Sequence, residues 1–222
     1  MSRLALAAAL SVATLSAQAA LEARPGGMVY HTVQNITWLA DMNYAQTSLH
    51  TGTGVNVNGT MIWDAATAWA NNLVYGGFSD WRLPTLNLLD ASCTGGLGVG
   101  VGYNCTGGEL SRLFVTDLGN QGNSSVLDQV GDTAEQIANL ALFNNVQSSD
   151  YWSGTKYSPS PDLAWFFRTS VGFQYNVGKA NALYAVAVRP GDVAAIPEPQ
   201  TYALLLAGLG AVVVAVRRRR PV

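Results

Sequence analysis

Hydrophobic residues are concentrated at the two ends of this chain of 222 residues. Residues 4–15 and residues 202–216 are apolar with almost no polar interruption. Such stretches lack the polar face of an ordinary surface helix. They predict segments that serve export or the membrane, with a folded body over residues 28–192 between them.

Within the body, the spacing of apolar positions changes along the chain. Residues 36–39 alternate as in a half-buried strand. Helices are predicted over residues 65–73 with Asp64 as the cap, over residues 86–89 with Thr85 as the cap, and over residues 109–118. Strands are predicted at residues 151–155, 164–168 and 183–189, with a hairpin region at residues 172–178. Two or three helices followed by antiparallel strands predict a single α+β domain.

Residues 1–19 match a secretory signal peptide. Arg3 supplies a positive charge, residues 4–15 form the apolar core, and Ala17-Gln18-Ala19 has the small-x-small pattern of a cleavage site. The alternative is a buried core helix, but such a helix would need more polar positions than this stretch offers. We therefore expect export and cleavage near Ala19.

Residues 202–216 predict a transmembrane helix of marginal length. Fifteen helical residues cover about 22 Å, less than the roughly 30 Å of a bilayer's hydrocarbon core. Four arginines at residues 217–220 follow this stretch and are expected to stay in the cytoplasm. The body then faces the periplasm, in agreement with the signal peptide.

Charge and cysteine content narrow the possible partners and chemistry. Residues 20–197 hold seven basic and thirteen acidic residues, a net charge of −6, which argues against nucleic acid as a partner. Cys93 and Cys105 enclose a glycine-rich segment and predict a disulfide, which stabilises a loop of this size by about 3 kcal/mol. Free thiols and a metal site are the alternatives, but His31 and His50 show no ligand spacing with the cysteines. No metal or cofactor is predicted.

The C-terminal segments resemble a PEP-CTERM sorting signal over residues 196–222. The resemblance is carried by Pro197, Glu198 and Pro199, a short apolar helix, and the terminal Arg217, Arg218, Arg219 and Arg220. It implies that the proline-flanked glutamate is recognised by an exosortase, a membrane-embedded transpeptidase-like protease that removes the tail, and that the arginines hold the tail until processing. It also implies a Gram-negative bacterium that makes exopolysaccharide and biofilm, with the body at the cell surface or in the matrix. A permanent tail anchor is the alternative.

The body resembles the C-terminal domain of the collagen-like bacterial adhesin Lcl. The matching segments are residues 36–39, 43–45, 69–73, 76–85, 151–155 and 187–190, in this order. The resemblance implies a fold similar to C-type lectin and formylglycine-generating-enzyme domains. The loop that holds both cysteines departs from the family. Because no cysteine follows Cys105, the formylglycine-generating activity does not transfer.

Two short motifs of the body are interpreted as structural. Trp81, Arg82, Leu83, Pro84 and Thr85 predict a corner between a strand and a helix, and Trp152 with Ser153 lies in a predicted strand. Trp81, Trp152 and Trp165 are interpreted as packing residues, with a ligand platform as the alternative. Arg82 is expected to point to the opposite face, where a carbonyl or a neighbour such as Asp80 holds it.

No catalytic arrangement stands out. His31 and His50 lie next to flexible polar or signal-proximal residues, no nucleophile elbow is present, and the separations of the many carboxylates are not visible in a sequence. The favoured hypothesis is a non-enzymatic exported protein that binds carbohydrate or protein in an exopolysaccharide matrix. The alternatives are a polysaccharide-acting enzyme with a carboxylate pair and a purely structural envelope component. A local basic patch would permit binding of sulfated polysaccharide, and four basic residues of the last third are the candidates for it: Lys156, Arg168, Lys179 and Arg189. The alternative is that these residues lie close together in sequence by chance and form no patch.

Overall fold

The computed structural model describes residues 20–48 and 54–193. The predicted signal peptide, transmembrane helix and sorting signal lie outside these residues, as does His50. The described part is an α+β domain with nine strands in two antiparallel sheets and four short helices. Helices were expected to number two or three.

A four-stranded sheet contains the beginning and the end of the described chain. Its strands are β1 (Leu21–Arg24), β2 (Met28–His31), β3 (Ile36–Leu39) and β9 (Val188–Pro190), in the order β1-β2-β3-β9. The predicted strand at residues 36–39 is therefore β3, whereas β1 and β2 were not predicted. The predicted strand at residues 183–189 is regular only at its end, and Leu183 and Tyr184 make isolated bridges instead.

A five-stranded sheet contains the glycine-rich loop and the β-rich last third. Its strands are β4 (Thr94–Gly98), β5 (Val101–Tyr103), β6 (Asp150–Lys156), β7 (Leu163–Arg168) and β8 (Phe173–Gly178), in the order β4-β5-β8-β7-β6. The predictions for β6, β7 and the hairpin region that becomes β8 are confirmed. Strands β4 and β5 were not predicted.

Both faces of the five-stranded sheet are covered by apolar side chains. Trp165 and Phe167 of β7 belong to one buried cluster, and Ala164 and Phe166 belong to another. Successive side chains of a strand point to opposite faces, so β7 contributes to two cores at once. This explains why residues 164–167 are apolar without alternation.

The helices pack on these two clusters. They are α1 (Tyr44–Thr47), α2 (Trp63–Asn71), α3 (Glu109–Ser111), which continues as a π-helical turn over Arg112–Asp117, and α4 (Ala134–Leu140). Phe114 of the π-helical turn stacks on Phe167, with ring centroids 5.4 Å apart and planes inclined by 6°. No helix within the described ranges has the length and apolar character to cross a bilayer.

Two details of the helix predictions are wrong. Helix α2 begins at Trp63 after Ile62, so Asp64 lies in its first turn and does not cap it. The helix predicted after Thr85 does not form, because the backbone N–H groups there bind distant side chains. Thr85 N–H donates to the Glu109 carboxylate at 2.8 Å, and Leu86 N–H donates to Thr155 Oγ1 at 2.9 Å.

Candidate functional site

The segment from Trp81 to Thr85 is a buried corner. Trp81 and Leu83 are buried, and the backbone of Arg82 exchanges hydrogen bonds with Val188 of β9. The Trp81 indole N–H donates to the Tyr75 carbonyl at 3.3 Å. Because Trp81 and Leu83 face inward, Arg82 faces the other way, as the alternation of an extended chain requires.

Arg82 binds Glu109 and the Leu83 carbonyl, whereas Asp80 binds a different arginine. The two terminal nitrogens of Arg82 donate to the two oxygens of Glu109 at 2.7 and 2.6 Å, and Arg82 Nη1 also donates to the Leu83 carbonyl at 3.1 Å. Burial alone raises the pKa of Glu109, but hydrogen bonds from Arg82 and Thr85 outweigh burial and hold this pKa below its ordinary value. One carboxylate thus joins the corner to the start of α3.

Trp152 and Ser153 hold the interior of the body. The Trp152 indole N–H donates to the Met61 carbonyl at 2.9 Å, and Ser153 Oγ donates to the Trp165 carbonyl at 2.8 Å. The Ser153 carbonyl in turn accepts from the indole N–H of Trp63 at 2.8 Å. These buried groups bind each other and are not open to a ligand.

His31 is a buried residue, contrary to the expected flexible surroundings. Its Nε2 lies 3.0 Å from Asp117 Oδ2, and its Nδ1 accepts from the Gln34 N–H at 3.3 Å. Both His31 and Asp117 are buried, so a substrate cannot reach the imidazole. The pair joins β2 to the π-helical turn.

The four basic residues of the last third do not act as one patch. Arg168 binds both oxygens of Asp150 at 2.7 and 3.0 Å, and Arg189 binds both oxygens of Asp80 at 2.8 and 3.1 Å. These pairs neutralise the two arginines. The hydrogen bond from Arg189 is also what holds the pKa of Asp80 below its ordinary value.

The two lysines of the chain converge on one ring. The Nζ atoms of Lys156 and Lys179 lie 5.6 and 4.7 Å from the centre of the Trp63 ring, and Lys179 Nζ also donates to the Pro161 carbonyl. An open groove of about 510 Å³ lies beside Lys179. The same groove is lined by Asp64 and Asp162, so it holds one ammonium group and two carboxylates.

The disulfide between Cys93 and Cys105 is confirmed. It closes the hairpin of β4 and β5, and β5 adds this hairpin to the sheet through the pairing of Tyr103 with Phe173 of β8. Gly100 fits at the turn because its φ is +76° and a Cβ there would lie 2.2 Å from the Leu88 carbonyl oxygen.

Asp90 lies near both sulfurs, but its oxygens accept from Ser92 and from the Gly107 N–H. The sulfurs are bonded to each other, which excludes the thiolate metal site considered above.

Three aromatic side chains line the outer part of the sheet beside this hairpin. We name Tyr103, Phe173 and Tyr175 the aromatic row. The ring centroids of Tyr103 and Phe173 are 4.7 Å apart and inclined by 62°, and those of Phe173 and Tyr175 are 6.1 Å apart and inclined by 50°. Tyr175 is 41% exposed, and the other two rings are half-buried. Arg168 pairs with Phe173 across β7 and β8, so the Arg168–Asp150 ion pair borders the row.

The aromatic row was missed in the sequence. Phe173 and Tyr175 alternate with Gln174 inside the predicted hairpin region, which is a signal for one shared face of a strand. Tyr103 lies seventy residues earlier, and no sequence pattern joins it to them. Only the β5–β8 pairing brings the three rings together.

Two matches to known families follow the division of the chain into body and tail. Residues 27–189 match the Lcl C-terminal domain, and the chain belongs to this family. Residues 195–220 match the PEP-CTERM protein-sorting motif. This motif indicates export, processing by an exosortase and a final position at the cell surface or outside the cell. A search of curated proteins finds no match to the chain.

Loss of the Glu109 carboxylate is expected to weaken the corner. Glu109→Gln should lower the free energy of unfolding at pH 7 by about 1–3 kcal/mol, because it removes the negative charge and one of the two oxygens that accept from Arg82 and Thr85. The folded-state pKa of Glu109 is lowered, so its stabilising effect is present above its ordinary value of 4.5 and is lost as pH falls through the lower folded-state value. Urea unfolding at pH 7 and pH 3 measures this, with exposed Glu135→Gln as the control. An equal acid sensitivity of the wild type and Glu109→Gln would contradict the assignment.

Removal of the disulfide is expected to destabilise the body. The double variant Cys93→Ser with Cys105→Ser loses about 3 kcal/mol in the chain-entropy model. For a domain of this size that corresponds to a decrease in Tm of about 6–12 °C. Thermal melting followed by circular dichroism measures it, and the wild type in reductant should melt with the variant. The disulfide would not stabilise the body if reductant left the wild-type Tm unchanged and the double variant had the same Tm as the wild type.

Proposed function

We propose that this protein is an exported, non-enzymatic surface or matrix protein that binds carbohydrate or protein within an exopolysaccharide. In this proposal residues 202–216 span the inner membrane until an exosortase cuts at the Pro197-Glu198-Pro199 signal, while residues 217–220 stay in the cytoplasm. The host is a Gram-negative bacterium that builds a biofilm. The body has a fold related to that of the C-type lectins.

The observation that carries this proposal is the position of the sorting motif. The motif begins at residue 195, and Val193 is the last described residue, still buried in a cluster with Met28 and Trp69. The folded body therefore continues almost to the motif. Cleavage at the proline-flanked glutamate would release the body with its core intact.

The use of charged groups in the body supports a binding role without catalysis. Ion pairs join β1 to the end of the chain, the Trp81 corner to α3, and β6 to β7, through Arg24–Asp192, Arg82–Glu109 and Arg168–Asp150. A general acid or base needs a group that a substrate can reach. The charged groups in these pairs are bound in structural contacts instead.

A second candidate function is favoured by the groove beside Lys179. Asp64 and Asp162 line the same groove, and two carboxylates on either side of a scissile bond are what glycoside hydrolysis requires. Both are exposed to solvent, whereas the general acid of a glycosidase usually lies in a largely apolar pocket that excludes water. This is the reason for ranking a polysaccharide-acting enzyme second.

Processing is tested by the fate of the tail. The full chain is expressed in a host with an exosortase and in a strain that lacks it, and the mass and C-terminus are determined in membrane and medium fractions. We expect loss of residues 202–222 only where the protease is present. A matched variant with alanine at Pro197, Glu198 and Pro199 should keep its tail in both strains. An intact wild-type tail in both strains would identify a permanent anchor and overturn the proposal of sorting.

Catalysis is tested with the same purified protein. We expect no new reducing ends when it is incubated with soluble polysaccharides. Asp64→Asn and Asp162→Asn probe the groove, and Asp128→Asn, an exposed acidic residue outside it, is the control. Turnover that both groove variants abolish and Asp128→Asn retains would replace the binding function with an enzymatic one.

A further inference from the structure

We propose that the aromatic row is a binding site for a neutral polysaccharide, whose sugar rings stack on Tyr175 and its neighbours beside the Arg168–Asp150 ion pair. This inference deepens the proposed function by naming the site and the chemical class of the ligand. It rests on the proposal that the body is a binding module.

The exposure of the row distinguishes it from the other aromatic residues of the sheet. Trp152, Trp165 and Phe167 are almost completely buried, whereas Tyr175 is 41% exposed on the same sheet. Large rings are normally buried, and a contiguous group of partly exposed rings is a mark of a binding surface. The hydroxyl groups of Tyr103 and Tyr175 make no hydrogen bond to any residue in the described ranges, so they are free to bind a ligand.

Charge at the row favours a neutral ligand. Arg168 and Asp150 bind each other through two hydrogen bonds, so the polar border of the row carries no net charge. The guanidinium is exposed, and its Nη1 donates to no residue of the described chain. A carboxylate and a guanidinium side by side offer both acceptors and donors, which matches the hydroxyl groups of a sugar. The net charge of −6 over residues 20–197 further disfavours an anionic chain.

The disulfide-closed hairpin gives the row its third ring. Tyr103 lies between Cys93 and Cys105, in a segment whose glycines have little intrinsic order. The bond and the β5–β8 pairing hold Tyr103 against Phe173 before any ligand arrives. A site ordered in advance loses less entropy on binding. This assigns a binding role to the loop that departs from the family.

The shape of the row favours a polysaccharide over a protein partner. Protein hot spots are aromatic or arginine side chains in well-packed pockets within an interface of about 800 Å² on each side. The aromatic row lies along an open strand face, bordered by Arg168 and Asp150. A linear chain of sugar rings fits successive side chains of such a face, in the way that nucleic-acid bases stack on aromatic platforms.

Affinity electrophoresis tests the site. The protein is purified from whichever host fraction holds it, in detergent where the tail persists. It is run in native gels that contain dextran, galactomannan or hydroxyethyl cellulose as neutral probes, or carboxymethyl cellulose as the anionic counterpart of the last. We expect retardation in at least one neutral gel. Tyr175→Ala and Tyr103→Ala should each weaken binding about tenfold, as expected for loss of an aromatic anchor.

The control is Tyr30→Ala in β2. Tyr30 is also half-buried and lies in the other sheet, where its hydroxyl donates to Asn35 at 3.0 Å. The Tyr30→Ala variant should bind the polysaccharide like the wild type, and melting curves verify that all variants fold. Absence of retardation in every neutral gel, binding confined to carboxymethyl cellulose, or an equal loss in Tyr30→Ala would each overturn the site. Unchanged binding in Tyr175→Ala and Tyr103→Ala would overturn it as well. Because the tail does not enter this measurement, its outcome is independent of the processing experiment.

Discussion

The body depends on a five-stranded sheet in which strand β7, next to the edge strand β6, must be buried on both faces. Strand β7 sends Trp165 and Phe167 into one cluster and Ala164 and Phe166 into the other. A shift of one residue in its register would exchange the two sets, so the packing on both sides holds the register. The remaining elements follow from this requirement. The Trp81 corner and α2 cover one face, and the π-helical turn with Phe114 covers the other.

Polar contacts in this body lie mainly at the seams between layers. Glu109 joins the corner to α3, His31 joins β2 to the π-helical turn, and Asp80 joins the corner to β9 through Arg189. Each contact bridges segments that are far apart in sequence. This arrangement uses charge to position layers that apolar packing alone would leave free to slide. It also leaves the aromatic row as a surface whose side chains are not needed by the core.

Local patterns in the sequence were sufficient where local interactions decide the structure. Strands β3, β6 and β7 and helix α2 follow from the spacing of apolar residues, and the disulfide follows from two cysteines around a glycine-rich segment in a chain with an export signal. The prediction failed after Thr85, because a carboxylate 24 residues away binds the N–H that a helix would have needed. Strand β2 was not predicted. His31, its last residue, was interpreted as flexible because the partner of its imidazole, Asp117, is 86 residues distant. The aromatic row is missed for the same reason, since Tyr103 meets Phe173 only through sheet pairing.

The ion pair between Arg24 and Asp192 has a mechanical consequence. A body attached to a surface by its C-terminal end bears tension that enters through residues 188–193. Strand β9 has only three residues, and besides its pairing with β3 only Val188 bonds, in the described part of the chain, to the backbone of Arg82. Few backbone hydrogen bonds therefore hold this strand under load. Arg24 binds both oxygens of Asp192 at 2.7 and 2.9 Å and thereby couples this end to β1, at the opposite edge of the sheet. Tension applied at this end would then pass into both edges of the sheet.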